Sequence, residues 1–410
     1  MRILYVLSNI SFPPMEGAHE QTLRVIKGMA DRGHRCVVVT FVTSRKNFDD
    51  KAFKDYAPNV EILDVLTNRR SYTSTLLLNT LIGSKRNFSF SRRAIRKVLA
   101  SSSDHMFETV MDEASARFEI IHAEGIPLAP VLKASKPTPV VFSTVDAWSM
   151  RQKRLFFAAK TIKERVLRLI SYGIAVFVER TYLKRFKYVH VVSESDAEYL
   201  RGETRLESIV AIPVSLPIDM KISNEAASTS RGREIVVSGD IRVSYVMDGI
   251  CDFLEAAIPR MTSEFADTTF RVLSRAPAFG RLGGIVERWP AQIRVEAWVQ
   301  DFAATLAGAS VIVLPDASGS GLKNRTVVAM ASGRPVVGTT WAFEGVGMRN
   351  WREGISSKTT VGLVDGVMAC LRKPSFANRL GRKGARHASE NFRLESVLTR
   401  WEHLYANAAA

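Results

Sequence analysis

Between Gly319 and Thr340 the chain reads GSGLKNRTVVAMASGRPVVGTT. Gly319, Ser320 and Gly321 keep the backbone approachable, and Leu322 and Asn324 flank a single cation, Lys323. The apolar residues that follow, up to Gly333, have the spacing of a helix. Backbone N–H groups at a helix start attract anions, and glycine lets a ligand come close to the backbone. The pattern therefore suits a phosphate-bearing ligand. Lys323 has a second reading as a solvated first-turn lysine, but a cation opposes the helix dipole there, which favours the ligand contact. Asn324 is either a contact or a helix cap.

The elements around this turn must hold it rigidly. Val311 to Leu314 reads as a buried strand that stops at Pro315, and Val336 and Val337 begin another after Gly333. Strand, glycine-rich turn, helix, glycine and strand make a βαβ unit with its ligand end at the turn. The same alternation recurs in the N-terminal half. Strands are predicted at Arg2–Leu7, Arg35–Phe41, Ile120–Ala123, Pro139–Ser143 and Tyr188–Val192, with helices at Glu20–Arg32 and Asp196–Leu200. After the small, polar segment Ser223–Arg233, which reads as a linker, it restarts with strands at Glu234–Ser238, Thr269–Leu273, Ile293–Glu296 and Val336–Gly338. Helices are predicted at Ile250–Met261 and Leu394–Ala406. Strands that are apolar throughout and separated by helices imply parallel sheets covered on both faces.

A chain of 410 residues suggests two domains of roughly 200 residues each. No apolar window is long enough to span a membrane, and Met1–Leu7 lacks a signal-peptide pattern. Cys36, Cys251 and Cys370 are isolated, fit a reducing compartment and offer no metal-ligand spacing; cytoplasm is the expected location. The net charge of +16 is uneven. Arg151 to Lys187 holds eleven Lys or Arg against Glu164 and Glu179, and Lys85 to Lys97 holds six with no acidic residue. These are either solvated helix faces or an attraction to an anionic surface. No nucleic-acid module is visible, so a membrane surface on its inner face is the better anionic partner.

Taken together, these pieces resemble the retaining glycosyltransferases of family four. MRILYVLSNISFPPMEGAHEQT followed by GHRCVVVTF is similar to that family's first strand, glycine loop and second strand. HAEG at 122–125, VDAWSMR at 145–151, VVSESDAEYL at 191–200 and the GSGLKN motif resemble a subgroup of bacterial polysaccharide assembly. The resemblance implies an α/β chain of the GT-B fold: two doubly wound Rossmann-like domains facing across a cleft. Residues 1–215 would be the acceptor-binding domain and 216–392 the donor nucleotide-sugar-binding domain. Residues 393–410 would be a C-terminal helix able to pack back on the first.

The implied activity is hexosyl transfer from a nucleotide sugar to a lipid-linked or polysaccharide acceptor, with retention. The donor is a substrate, no cofactor is implied, and helix end and basic residues stand in for a metal. No Asp-x-Asp pair occurs in the chain. A departing nucleoside diphosphate gathers negative charge, and donors and a cation must be aimed at it. Gly319, Ser320, Gly321, Leu322, Lys323 and Asn324 would supply them, with Gly17 and Gly239 approaching the donor. His122, Glu124 and Asp146 are the catalytic candidates, for orienting a sugar, contacting acceptor hydroxyls or accepting a proton; His122 alternatively is a satisfied core group.

Several positions depart from the family pattern. Its two glutamates fall on Ser320 and Val328, and valine cannot hold a ribose hydroxyl. Its phosphate-directed Arg and Lys fall on Asp240 and Asp248, with Arg242 and Arg275 placed to substitute. Trp298 and Val299 occupy the base region, where the indole stacks on a base or joins the core. A non-catalytic GT-B partner subunit and a sugar-nucleotide epimerase are the competing readings.

Overall fold

A computed structural model of the chain describes residues 1–8, 10–14, 17–42, 44–67, 117–130, 132, 138–159, 161–217 and 233–410. The basic segment Lys85–Lys97, Lys160 and residues 223–232 of the linker lie outside the described residues. The chain divides into two units, Met1–Pro213 with Val397–Ala410, and Val214–Ser396.

In the first unit β1 (Arg2–Ser8), α1 (Gly17–Asp31), β2 (Arg35–Val42), α2 (Asp50–Tyr56) and β3 (Val60–Thr67) come first. They are followed by β4 (Ile120–Glu124), β5 (Val140–Val145), α3 (Trp148–Ala158) and α4 (Ile162–Tyr182). Then come β6 (Tyr188–Val191), α5 (Glu194–Thr204) and β7 (Ile209–Ala211). The sheet order is β3-β2-β1-β4-β5-β6-β7, parallel at every pairing. The interiors of strands β1, β2 and β4 are buried on both faces, as an all-parallel sheet requires. On one face Leu4, Val6, Ile121 and Phe142 pack with Ile174, Val178 and Tyr182 of α4 and Leu200 of α5.

In the second unit β8 (Arg233–Ser238), α6 (Ser244–Glu264), β9 (Thr268–Leu273), α7 (Gly280–Arg288), β10 (Ile293–Glu296) and α8 (Phe302–Ala307) come first. They are followed by β11 (Val311–Leu314), α9 (Asn324–Ala331), β12 (Val336–Thr339), β13 (Ile355–Ser357), α10 (Thr360–Arg372) and α11 (Pro374–Phe392). Its sheet runs β10-β9-β8-β11-β12-β13, again parallel throughout. Two doubly wound α/β sheets were expected, and two are found. The helix expected from Ile250 starts six residues earlier, because Val246 and Met247 are also buried.

A final helix, α12 (Leu394–Ala409), returns to the first unit. Its Trp401 ring packs tilted against His122, with centroids 4.8 Å apart, and against His190 at 4.4 Å, and Glu402 accepts from Arg32 and sits 3.0 Å from His34. Gly28 of α1 lies against α12, and a Cβ there would meet Leu398 Cδ1 at 2.5 Å, so that side chain would have to shift. The three cysteines are free and buried. Among the described residues no helix is long and apolar enough to cross a membrane.

Candidate functional site

In an open parallel sheet, ligands gather outside the carboxyl ends of the strands, where strand order reverses. The first sheet reverses between β1 and β4, and the second between β8 and β11. Glu124 falls at the first of these places, and Gly239 and the turn after β11 at the second; Asp146, Arg275 and Trp298 follow the neighbouring strands β5, β9 and β10.

In the second unit the turn after β11 runs from Pro315 to Lys323. Gly319 has φ +149° and Gly321 φ +69°, conformations that glycine adopts without strain. Helix α6 braces the start of the turn. The Ala317 N–H donates to the Tyr245 carbonyl at 3.2 Å, and a Cβ on Gly249 would lie 1.7 Å from the Pro315 carbonyl oxygen. Only glycine lets α6 come this close. Asp316, fully buried, accepts two hydrogen bonds from Arg325 in the first turn of α9. Thr339 Oγ1 donates to the Asp316 carbonyl at 2.7 Å, and Thr326 Oγ1 to that of Ala342 at 2.8 Å. Turn, helix start and neighbouring strand are thus tied into one rigid piece.

Helix α9 begins without a side-chain cap; its N-cap residue is Lys323. Five other described helices carry such a cap, Asp49 on α2, Thr161 on α4, Ser193 on α5, Asp301 on α8 and Thr359 on α10. Asn324 is the first helical residue, so of its two readings the capping one is corrected. Lys323 folds back over the turn, donating from Nζ to the carbonyls of Gly321 at 3.1 Å and Trp341 at 2.6 Å. Its ammonium therefore lies beside the turn and helix start, where a phosphate would bring negative charge. Leu322 is buried, and so is Val328.

After β8 come Gly239 and Asp240, and after β9 comes Arg275. Arg242 donates to Asp240 from Nε and from Nη2. That bond, helped by the charges of Arg242 and Arg275, holds the Asp240 carboxyl below the usual carboxylate range. Arg242, Arg275 and Asp240 therefore form one group, in which the acid already neutralises part of the basic charge. Trp298, after β10, is 84% exposed, which removes its core reading. Val299 beside it is half-buried.

In the first unit Glu124 ends β4 and Gly17 opens α1. The chain turns after Glu124 at Gly125, whose φ is +109° and whose Cβ would strike Ser8 at 2.6 Å. Glu124 is buried and accepts a hydrogen bond from Thr22 of α1. Burial pushes its carboxyl up to about 7, while bonds from Thr22 and Ser143 pull the other way. Ser143 Oγ also lies 2.9 Å from His190 Nδ1, and His190 Nε2 lies 2.9 Å from the Ile212 carbonyl. Burial holds His190 neutral, down to about 4. Nε2–H then donates to Ile212, Nδ1 accepts, and Ser143 has one proton for two acceptors.

His122 is not placed to touch a substrate, which corrects its reading as a catalytic candidate. It is 1% exposed, lies between the sheet and α12, and pairs through Nδ1 with the Tyr405 hydroxyl. Burial, with His190 nearby, drives it down to about 3, so it remains neutral. Its role is to pack the strand that ends in Glu124.

Asp146 follows β5 and is half-buried. Val145 before it has φ +68°, a left-handed conformation that is strained for a β-branched residue. Two buried carboxylates hold this turn: Asp196 accepts the Ala147 N–H at 3.0 Å and Glu179 that of Ser149 at 3.1 Å. Burial raises Glu179 to about 7. Sequence reasoning missed Thr22, Ser143, His190, Asp316 and Arg325. Only Asp316, a lone acid just past an apolar strand, carried a local signal.

Residues 16–214 match a family model described as a glycosyl transferase 4-like domain, and residues 232–371 match that of glycosyl transferases group 1. Among solved structures the chain is similar to sucrose-phosphate synthase from Thermosynechococcus elongatus, with 14% identity over 99% of each chain and a TM-score of 0.72. It is similar to Anabaena HepE in complex with UDP-glucose, with 14% identity over 99% of this chain and 100% of that one, TM-score 0.65. It is also similar to WaaG, a glycosyltransferase involved in lipopolysaccharide biosynthesis, with 13% identity over 99% of each chain and a TM-score of 0.67. No curated protein matches the chain in sequence. At these identities the solved structures establish the shared GT-B fold.

Proposed function

Because the chain belongs to the group 1, family-four-like glycosyltransferases, we propose that it moves a sugar from a nucleoside-diphosphate donor to a lipid-linked or polysaccharide acceptor of bacterial glycan assembly, with retention. The observation that carries this reading is the glycine turn with Lys323 at the uncapped start of α9. As the glycosidic bond breaks, the leaving diphosphate gains charge. In this reading backbone N–H groups of Gly319–Asn324 and the Lys323 ammonium, which now rests on the carbonyls of Gly321 and Trp341, meet that charge. Arg242 and Arg275 add positive charge from the ends of β8 and β9.

Val328 and its neighbours offer no carboxylate for the ribose, so nucleoside recognition falls to other groups. The exposed Trp298 ring, with Val299, is the proposed platform for the base. On the first unit, Glu124 and Asp146 are the proposed acceptor contacts, with Gly17 approaching the donor. With its carboxyl near neutrality, Glu124 can accept or return a proton at an acceptor hydroxyl. The basic charge of this unit supports a position at an anionic membrane surface on the cytoplasmic side.

The test is a thermal-shift screen of nucleoside diphosphates and their sugars, begun with UDP-glucose because HepE was crystallised with it. A ligand at a hundred times its Kd adds about 2.7 kcal/mol of stability. No shift with any of them at millimolar concentration would refute donor binding. Product analysis without acceptor separates transfer from epimerisation, and absence of both reactions despite binding would favour a non-catalytic subunit.

A further inference from the structure

We propose that the α3–α4 hairpin is a membrane-docking element that inserts an apolar stripe into the headgroup region of an anionic bilayer. This names the partner surface of the proposed transferase and rests on that reading for the choice of a membrane. Phe157 is 70% exposed, Ile162 83%, Val166 51% and Leu169 54%. They make up four of the nine large hydrophobic side chains found exposed among the described residues, and they lie within one hairpin.

The stripe has a helical register. Ile162, Val166, Leu169 and the exposed Gly173 stand at i, i+4, i+7 and i+11, within about 60° of the helix circumference. The buried face of α4, with Ser171, Ile174, Ala175, Val178 and Tyr182, is opposite. Lys163 and Arg165 are exposed and flank the stripe on its two sides. Arg151 and Lys153 on α3 are exposed as well, and Glu164 in the first turn of α4 is paired with Arg168 at 3.8 Å. An apolar edge between basic residues fits an interfacial helix: the hydrocarbon sinks about 5–10 Å and the cations meet lipid phosphates.

A second copy of the chain fits less well. Ile162 to Leu169 covers roughly 11 Å of helix, and four side chains fall short of the roughly 800 Å² per partner of a stable interface. The stripe also carries positive charge on both sides, at Lys163 and Arg165, which repels its own image.

The experiment is flotation of the full chain with vesicles of one part phosphatidylglycerol to three parts phosphatidylcholine, and with phosphatidylcholine alone, at low and high salt. The wild type is expected to bind the anionic vesicles and to keep part of that binding at high salt, when Coulomb attraction is screened. The combined Ile162→Ser, Val166→Ser and Leu169→Ser variant should lose at least roughly tenfold in partitioning, including all the salt-resistant part. Lys163→Glu with Arg165→Glu should lose roughly fivefold or more per residue changed. All these positions are exposed, and circular dichroism confirms that the variants fold. The proposal is overturned if the wild type fails to float, if the serine variant floats as well as the wild type, or if the stripe instead forms a salt-stable dimer that the serine variant dissolves. The assay holds neither donor nor acceptor. Failure here with an intact donor-induced thermal shift removes the docking element alone, whereas flotation without such a shift removes the transfer reading alone.

Discussion

Replacing Gly249 by alanine tests whether the proposed phosphate-binding turn is held by backbone contact with α6. The new Cβ would stand 1.7 Å from the Pro315 carbonyl oxygen, 2.9 Å from its carbon and 3.0 Å from the Ala317 nitrogen. These are backbone atoms, so no side chain can swing aside. To reach ordinary contact, helix and turn must separate by well over 1 Å. Overpacking of this kind costs roughly 1–3 kcal/mol, which for a unit of this size lowers Tm by roughly 2–12 °C. Misplacement by 1 Å near a reacting group costs on the order of a hundredfold in rate. A hundredfold weaker Kd for the donor would cut ligand stabilisation, at a concentration a hundred times the original Kd, from about 2.7 to about 0.4 kcal/mol. Differential scanning fluorimetry with and without the best nucleotide from the screen reads both effects. Gly202→Ala on α5 is the control: its Cβ meets nothing within 4 Å, and alanine there should stabilise by up to about 1 kcal/mol. A Gly249→Ala protein with wild-type Tm and a full ligand-induced shift would refute the argument.

Lys323→Ala should reduce kcat by roughly a hundred- to a thousandfold if the ammonium meets the leaving diphosphate; unchanged turnover removes it from the site. Glu124, raised to about 7 by burial, is protonated in the folded chain where the unfolded chain is already ionised. Its contribution makes stability fall as pH rises from about 4.5 to about 7, and Glu124→Gln should flatten that slope in urea denaturation followed across this range. His122 and His190 act in the opposite sense, losing stability as pH falls below about 6.5 towards their depressed values. Trp401→Ala removes the ring packed against both histidines and should cost roughly 3–5 kcal/mol of first-unit stability, read as a lower urea midpoint.

Where one local signal decided the structure, the sequence could be read. Val311–Leu314, the GSG turn and the apolar helix to Gly333 each announce themselves, and the structure places strand, turn and helix there. Elements made by tertiary packing could not be read. Helix α7, GRLGGIVER, holds three glycines and has weak propensity, yet it forms because Leu282 and Ile285 are buried against the sheet core. β13 is only Ile355–Ser357, and one buried isoleucine between polar residues carries no period. The site followed the same division. Glycines and charges at strand ends were visible, but the Thr22 partner of Glu124 is 102 positions away and the His122 partner Tyr405 is 283 away. No spacing rule reaches that far.

The return of α12 to the first unit sets an order of assembly during synthesis. Met1–Pro213 leaves the ribosome first but lacks Trp401 and Tyr405, so the face that carries His122 and His190 stays open while Val214–Ser396 is made. At about 5–20 residues per second, the delay is roughly ten to forty seconds. Over that interval the second unit, continuous in sequence, can finish folding, while the first waits with two imidazoles and an apolar sheet face wet. The half of the molecule translated first is thus the half completed last. Its nascent form is the one that a chaperone or a protease meets.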